Sequence, residues 1–239
     1  MSSSTQLNPE PTQIGLLVKV AFQALILLLI MVMFLFVPAG SLDWLMGWAI
    51  LILFVVENSG TLLVLVLTNP GLVKERIEVP GEIYTWDRLL TSIPKLLMFL
   101  VMLPLAGFDY RYGWSQPFPV RLQWIALGLF ALAGGLVSWA MLVNHFFAAS
   151  VRIQTDRGHF VISSGPYRRV RHPGYLAWII QFIAAPLALG CWWALIPGLG
   201  GVFCYVIRTA LEDQVLRRGL TGYAEYAESV RFRLLPGMW

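Results

Sequence analysis

Long apolar runs, separated by short polar stretches, are the dominant pattern of this chain. A helix needs roughly 20 apolar residues to cross a hydrocarbon core of about 30 Å. Runs of that order extend from about Leu16 to Val37, Leu42 to Leu67, Leu89 to Phe108 and Val120 to Val143. The third is the weakest, because Pro94 and Pro104 interrupt it. Two shorter runs follow, from about Tyr175 to Leu189 and Trp192 to Ile207, with a turn near Gly190. They read as a helical hairpin or as one re-entrant unit. The pattern therefore predicts an all-α, polytopic transmembrane bundle of about six spans, followed by a C-terminal amphipathic helix. The expected organisation is a disordered start over 1–13, transmembrane helices over 14–143 and a polar-loop, hairpin and tail unit over 144–239.

Composition agrees. The chain is 58% hydrophobic and 13% charged, with mean hydropathy +0.70. A soluble domain carries about 25% charged residues. The net charge of +4 does not imply a nucleic-acid partner, because the basic residues cluster beside apolar runs. With six spans, fourteen Lys and Arg fall on the N-terminal side and only Arg111 and Arg121 on the other. The positive-inside rule then places both termini in the cytoplasm. The polar N-terminus and the length of the first run argue against a cleavable signal peptide. Cys191 and Cys204 lack metal-ligand spacing, so no metal is expected, and a disulfide is not implied.

That topology puts the loop 144–173 and the tail 208–239 on one face, flanking the last hairpin. The loop ends in GPYRRVRHPGYLAW. Gly165-Pro166 and His172-Pro173-Gly174 break the chain, and Pro173 suits the first turn of a helix. Free N–H groups at that helix start favour an anion, with Arg171 and His172 as added donors. Arg168 and Arg169 read as topology anchors. In the tail, Arg208 and Glu212 share a helix face, so Glu212 is expected to pair with Arg208 or to hold a cation. Asp213 is turned away from them by about 100°. Tyr223, Tyr226 and Val230 recur at helical spacing, which suits a packing face. Glu57 and Asn58 lie within the second span, where a polar group is costly. They suggest a function or a helix-to-helix hydrogen bond, to Lys95 or to a backbone carbonyl.

These motifs, in this order, are similar to those of the isoprenylcysteine carboxyl methyltransferase family, to whose broad group phospholipid methyltransferases also belong. The elements are GPYRRVRHPGY, a hairpin, Arg208-x-x-x-Glu212-Asp213, Tyr223-x-x-Tyr226 and Arg233-x-x-Pro236. The resemblance covers about 144–239. It implies a membrane methyltransferase that uses S-adenosyl-L-methionine, with a lipophilic or small acceptor entering from the lipid. It further implies Arg171, His172, Pro173, Tyr175, Glu212, Asp213, Tyr223 and Tyr226 as cofactor residues, and Arg208 and Glu212 as the catalytic edge. Asp213 stands where the family has a second glutamate, Ala177 where it often has glycine, and Gly219-Leu220 where it often has Phe-Gly. Two other readings compete: an NADPH-dependent membrane reductase of the sterol type, and a non-enzymatic membrane scaffold.

Overall fold

A computed structural model describes residues 13–78 and 83–239. Nearly all of the segment 1–13, expected to be disordered, lies outside the described residues. The regular elements among the described residues are helices, with no strand. Residues 151–154 and 159–162 are irregular chain around a 3-10 turn at Thr155–Arg157.

Helices α1 (Gln13–Ala39) and α2 (Leu45–Thr68) are the first two apolar runs. A short α3 (Pro70–Glu78) follows. The third run is not broken at its prolines. It continues as α4 (Thr85–Leu96), a π-turn at Leu97–Met102 and α5 (Leu103–Tyr112). The wide π-turn provides room for Pro104, whose ring would clash with the carbonyl four residues earlier in a regular α-helix. Helices α6 (Val120–Val143), α7 (Pro173–Ala188), α8 (Leu195–Gly219) and a short α9 (Tyr223–Ser229) complete the order.

Five of these helical segments are long and apolar enough to cross a membrane: α1, α2, α4 through α5, α6 and α8. The sixth apolar helix, α7, has 16 residues. At 1.5 Å per residue it is about 24 Å long. Neighbours run α1, α2, α6, α7, α8, α4–α5 and back to α1, which closes a ring. Met31, Leu35, Ile50, Met102, Phe130 and Phe182 belong to one buried core inside it. Small residues permit the closest approaches. A Cβ on Gly107 would come within 2.4 Å of the Leu35 carbonyl, and one on Gly198 within 2.5 Å of the Phe182 carbonyl.

Loop contacts sort into two ends of the ring. At one end Arg152 pairs with Glu75 at 2.8 Å, Arg76 donates to the Phe147 carbonyl at 3.0 Å, and Asn69 meets His145 at 3.1 Å. At the other end Tyr110 donates to the Asp43 carbonyl, and the Trp192 N–H donates to Ser115 Oγ at 3.0 Å. The loop 144–172 and the tail share the first end, as a chain that crosses at every apolar helix requires.

The mid-membrane pair behaves differently from expectation. Asn58 donates to the Phe54 carbonyl of its own helix at 2.8 Å. Glu57 lies directly on Gly134 of α6, and its buried Oε2 has no hydrogen-bond partner among the described residues. One turn on, the hydroxyls of Thr61 and Ser138 tie α2 to α6 at 2.6 Å.

Candidate active site

Helix α8 does not end at the membrane boundary near Ile207. It runs unbroken to Gly219, so Arg208, Glu212 and Asp213 stand on one rigid rod. Helix α7 starts at Pro173, two residues before the predicted span, with His172 as its N-cap. The chain turns into it through a 3-10 turn at Gly165–Arg168, where Gly165 has φ 56°. A side chain there would be strained by the left-handed backbone and crowded by Trp139 at 3.1 Å.

Between these elements lies a cavity with about 840 Å³ of empty space, part of it open to the surroundings. Arg171, His172, Tyr175, Arg208, Glu212, Tyr223 and Tyr226 all line it. Phe146, Phe147, His159, Phe160 and Trp178 add aromatic wall. Pro173 and Asp213 lie behind that lining.

Arg208 and Glu212 do not pair with each other. Arg208 Nε donates to Asp87 Oδ1 at 2.8 Å, and its Nη2 to the Ala149 carbonyl at 3.0 Å. Its guanidinium also lies 5.2 Å from the centre of the Tyr175 ring. Glu212 accepts a hydrogen bond from the Tyr175 hydroxyl. Asp87 holds the loop as well, accepting from the Val151 N–H at 2.8 Å. One buried carboxylate therefore fixes both Arg208 and the chain over it. Nothing in the local pattern singles out Asp87 as a site residue. Its only signal was an acid in the first turn of an apolar helix.

Arg171 and Asp213 form a second cluster. Arg171 Nε and Nη2 donate to the two Asp213 oxygens at 2.7 and 3.2 Å. Its Nη1 donates to the Val230 and Arg231 carbonyls at 2.7 and 2.9 Å. Most donors of the guanidinium are thus engaged within the protein. Asp213 also accepts from Arg217, Arg233 and Tyr223 at 3.1, 3.0 and 3.0 Å and is fully buried. His172 Nε2 is 3.5 Å from Asp213 Oδ1, and its ring stacks on Tyr175 at 5.7 Å. Backbone bonds from Arg171 and His172 to the Phe232 and Arg233 carbonyls zip loop to tail. This cluster fixes the cavity walls.

The two tail tyrosines face inward from α9. Tyr226 donates to the Tyr167 carbonyl at 2.7 Å. Burial raises the hydroxyl pKa of Tyr223 and of Tyr226, so both remain neutral donors. The free N–H groups expected to attract an anion at the α7 start have a cover. A Cβ on Gly174 would meet the Phe147 ring at 2.6 Å. On the far wall, burial and then the charges of Arg152 and Arg157 push His159 down to about 4. Its Nδ1 accepts the Gln154 N–H at 3.3 Å. Arg168 and Arg169 are exposed.

The α6–α8 stretch of this bundle matches a methyltransferase family, and its last apolar helices and tail enclose the polar cavity. The family is the isoprenylcysteine carboxyl methyltransferase (ICMT) family, whose model matches residues 125–219. The match begins inside α6 and ends before the Tyr223-x-x-Tyr226 pair. A solved structure, described as that of the eukaryotic intramembrane Ras methyltransferase ICMT without a monobody, is similar at 16% identity and TM-score 0.45. The alignment covers 89% of this chain and 82% of that one, and a likeness of this size carries no residue equivalence. No curated protein matches.

Proposed function

We propose that this chain transfers a methyl group from S-adenosyl-L-methionine to a lipophilic or small acceptor, a carboxylate of the isoprenylcysteine type, a lipid amine or a thiol. The observation that carries the reading is Arg208 and Glu212 one helical turn apart, clamped by different partners and lining one cavity. The wall chemistry suits the cofactor. An acid suits its ammonium, arginine N–H groups its carboxylate, and aromatic rings its adenine. When bound, the cofactor supplies an activated methyl on a sulfonium.

Glu212, oriented by Tyr175, holds the ammonium. Arg208 keeps N–H groups beyond those used on Asp87 and Ala149, and it orients an anionic group. Arg171, Asp213 and Pro173 are positioning residues: they set the start of α7 against the tail. His172, Tyr223 and Tyr226 complete the wall and exclude water, which favours in-line displacement. A carboxylate acceptor needs no strong base. An amine or thiol arrives deprotonated or is assisted by Glu212. We place this unit in 144–239, with the rest of the chain as its membrane frame, both termini cytoplasmic and the site on the cytoplasmic face.

Labelled-methyl transfer to prenylcysteine analogues, membrane lipids and small thiols tests the reading. Transfer by wild type, lost in Glu212→Gln while the fold is kept, supports it. Absent cofactor binding, with saturable NADPH binding instead, would overturn it in favour of the reductase.

A further inference from the structure

A second cavity, with about 750 Å³ of empty space, part of it open to the surroundings, lies at the opposite end of the ring. Its lining comes from the start of α2, the end of α5, the start of α6 and the turn after α7. Asp109 is the only charged residue in that lining; Gln116 and Gln123 are its neutral polar groups, and Trp44, Tyr110 and Trp124 its aromatic ones.

Asp109 is 2% exposed, and its Oδ1 is buried with no hydrogen-bond partner among the described residues. A buried carboxylate oxygen without a donor is costly, by several kcal/mol for an ion. Beside it, burial and then the Asp109 carboxylate, which the thiol faces as a weak donor, push Cys191 up to about 12, so the thiol brings no second negative charge and Oδ1 still has no partner among the described residues. Arg111 lies over Gly40, 3.4 Å from where a Cβ would be, and it is not part of the cavity wall. Trp44 and Tyr110 stack at 4.5 Å with 17° between their planes, forming a rigid aromatic wall. The Trp124 ring is 52% exposed on the neighbouring helix.

From these groups we infer that the far-end cavity binds an alkylammonium group, with Asp109 as counter-ion and the Trp44–Tyr110 wall and Trp124 as its aromatic faces. A carboxylate with aromatic walls and no lysine or arginine selects a soft, weakly hydrated cation through charge and cation–π attraction. The same chemistry is offered by the headgroup of a choline phospholipid in that leaflet and by a free quaternary amine. The site is separate from the methyl-transfer cavity, and it does not rest on that function.

The test uses full-length protein in phosphatidylglycerol nanodiscs. Saturable binding of labelled choline is expected for wild type, weakened at least tenfold in Asp109→Asn and several-fold in Trp124→Leu. Native mass spectrometry of protein extracted from mixed lipid forms the second arm. Preferential retention of phosphatidylcholine over phosphatidylethanolamine and phosphatidylglycerol assigns the lipid headgroup, and choline binding without such retention assigns a soluble amine. The inference is overturned if wild type shows neither, or if both variants, with melting midpoints equal to wild type, bind as wild type does. Trp124→Leu alters an exposed ring, so it keeps the test decisive should Asp109→Asn fail to fold.

Discussion

Asp87 and Arg208 meet at 2.8 Å across 121 positions of sequence, both almost fully buried. The contact joins the start of the third span to α8, and Asp87 also holds the Val151 N–H of the loop above. Removing one partner of a buried ion pair costs about 3–5 kcal/mol, because the other is left charged and unpaired. Asp87→Ala is therefore expected to lower the melting midpoint in detergent and to abolish methyl transfer. Asp87→Glu, which keeps the charge, should retain more of both. Thermal unfolding measured beside turnover checks this, and an Asp87→Ala protein with wild-type stability would contradict it.

Glu212 and Tyr175 are expected to separate chemistry from stability. Glu212→Gln keeps the shape and loses the charge, so turnover should fall by about tenfold or more, with each tenfold being about 1.4 kcal/mol. Tyr175→Phe removes only the hydroxyl that orients Glu212, and should cost less. Melting midpoints near wild type in both variants, alongside the activities, complete the measurement.

Arg171 and Asp213 should act on the tail. Arg171→Lys cannot reproduce two bonds to a carboxylate and two to carbonyls. Hydrogen exchange is expected to rise over 223–239 in this variant and in Asp213→Asn, more than over α1 or α2. A variant that lost only cofactor affinity, with tail protection unchanged, would restore the direct binding role that the sequence suggested.

Gly134 offers a packing test inside the membrane. A Cβ there would sit 1.5 Å from Glu57 Oε2. Gly134→Ala should destabilise by about 1–3 kcal/mol, the usual cost of overpacking. Shortening Glu57 to Ala in the same chain should recover most of that loss. Additive losses in the double variant would show that the two residues do not meet.

His159 gives the loop a pH dependence with a defined sign. Its folded pKa, about 4, lies below the ordinary 6.5. The unfolded loop therefore binds the extra proton first. The stability contribution is complete above about pH 6.5 and is lost as pH falls toward 4. Loop protection over 146–162, followed by hydrogen exchange, should decline through that window, and His159→Phe should flatten the decline.

The apolar runs marked the order of the apolar helices, five of them long enough to cross a membrane and α7 shorter at 16 residues, because a bilayer demands long hydrophobic stretches. The motifs in the loop and tail likewise marked the face where polar residues gather. Local pattern could not say which charge meets which. Spacing suggested Arg208 with Glu212, and a free Arg171 at a helix start. Helix packing instead gave Arg208 to Asp87, Glu212 to Tyr175 and Arg171 to Asp213. Buried charges must find partners, and those partners come from whichever helices lie alongside, at any distance in sequence. Which helices lie alongside is decided by close approaches such as Gly107 on Leu35 and Gly198 on Phe182, and these exist only in the assembled bundle.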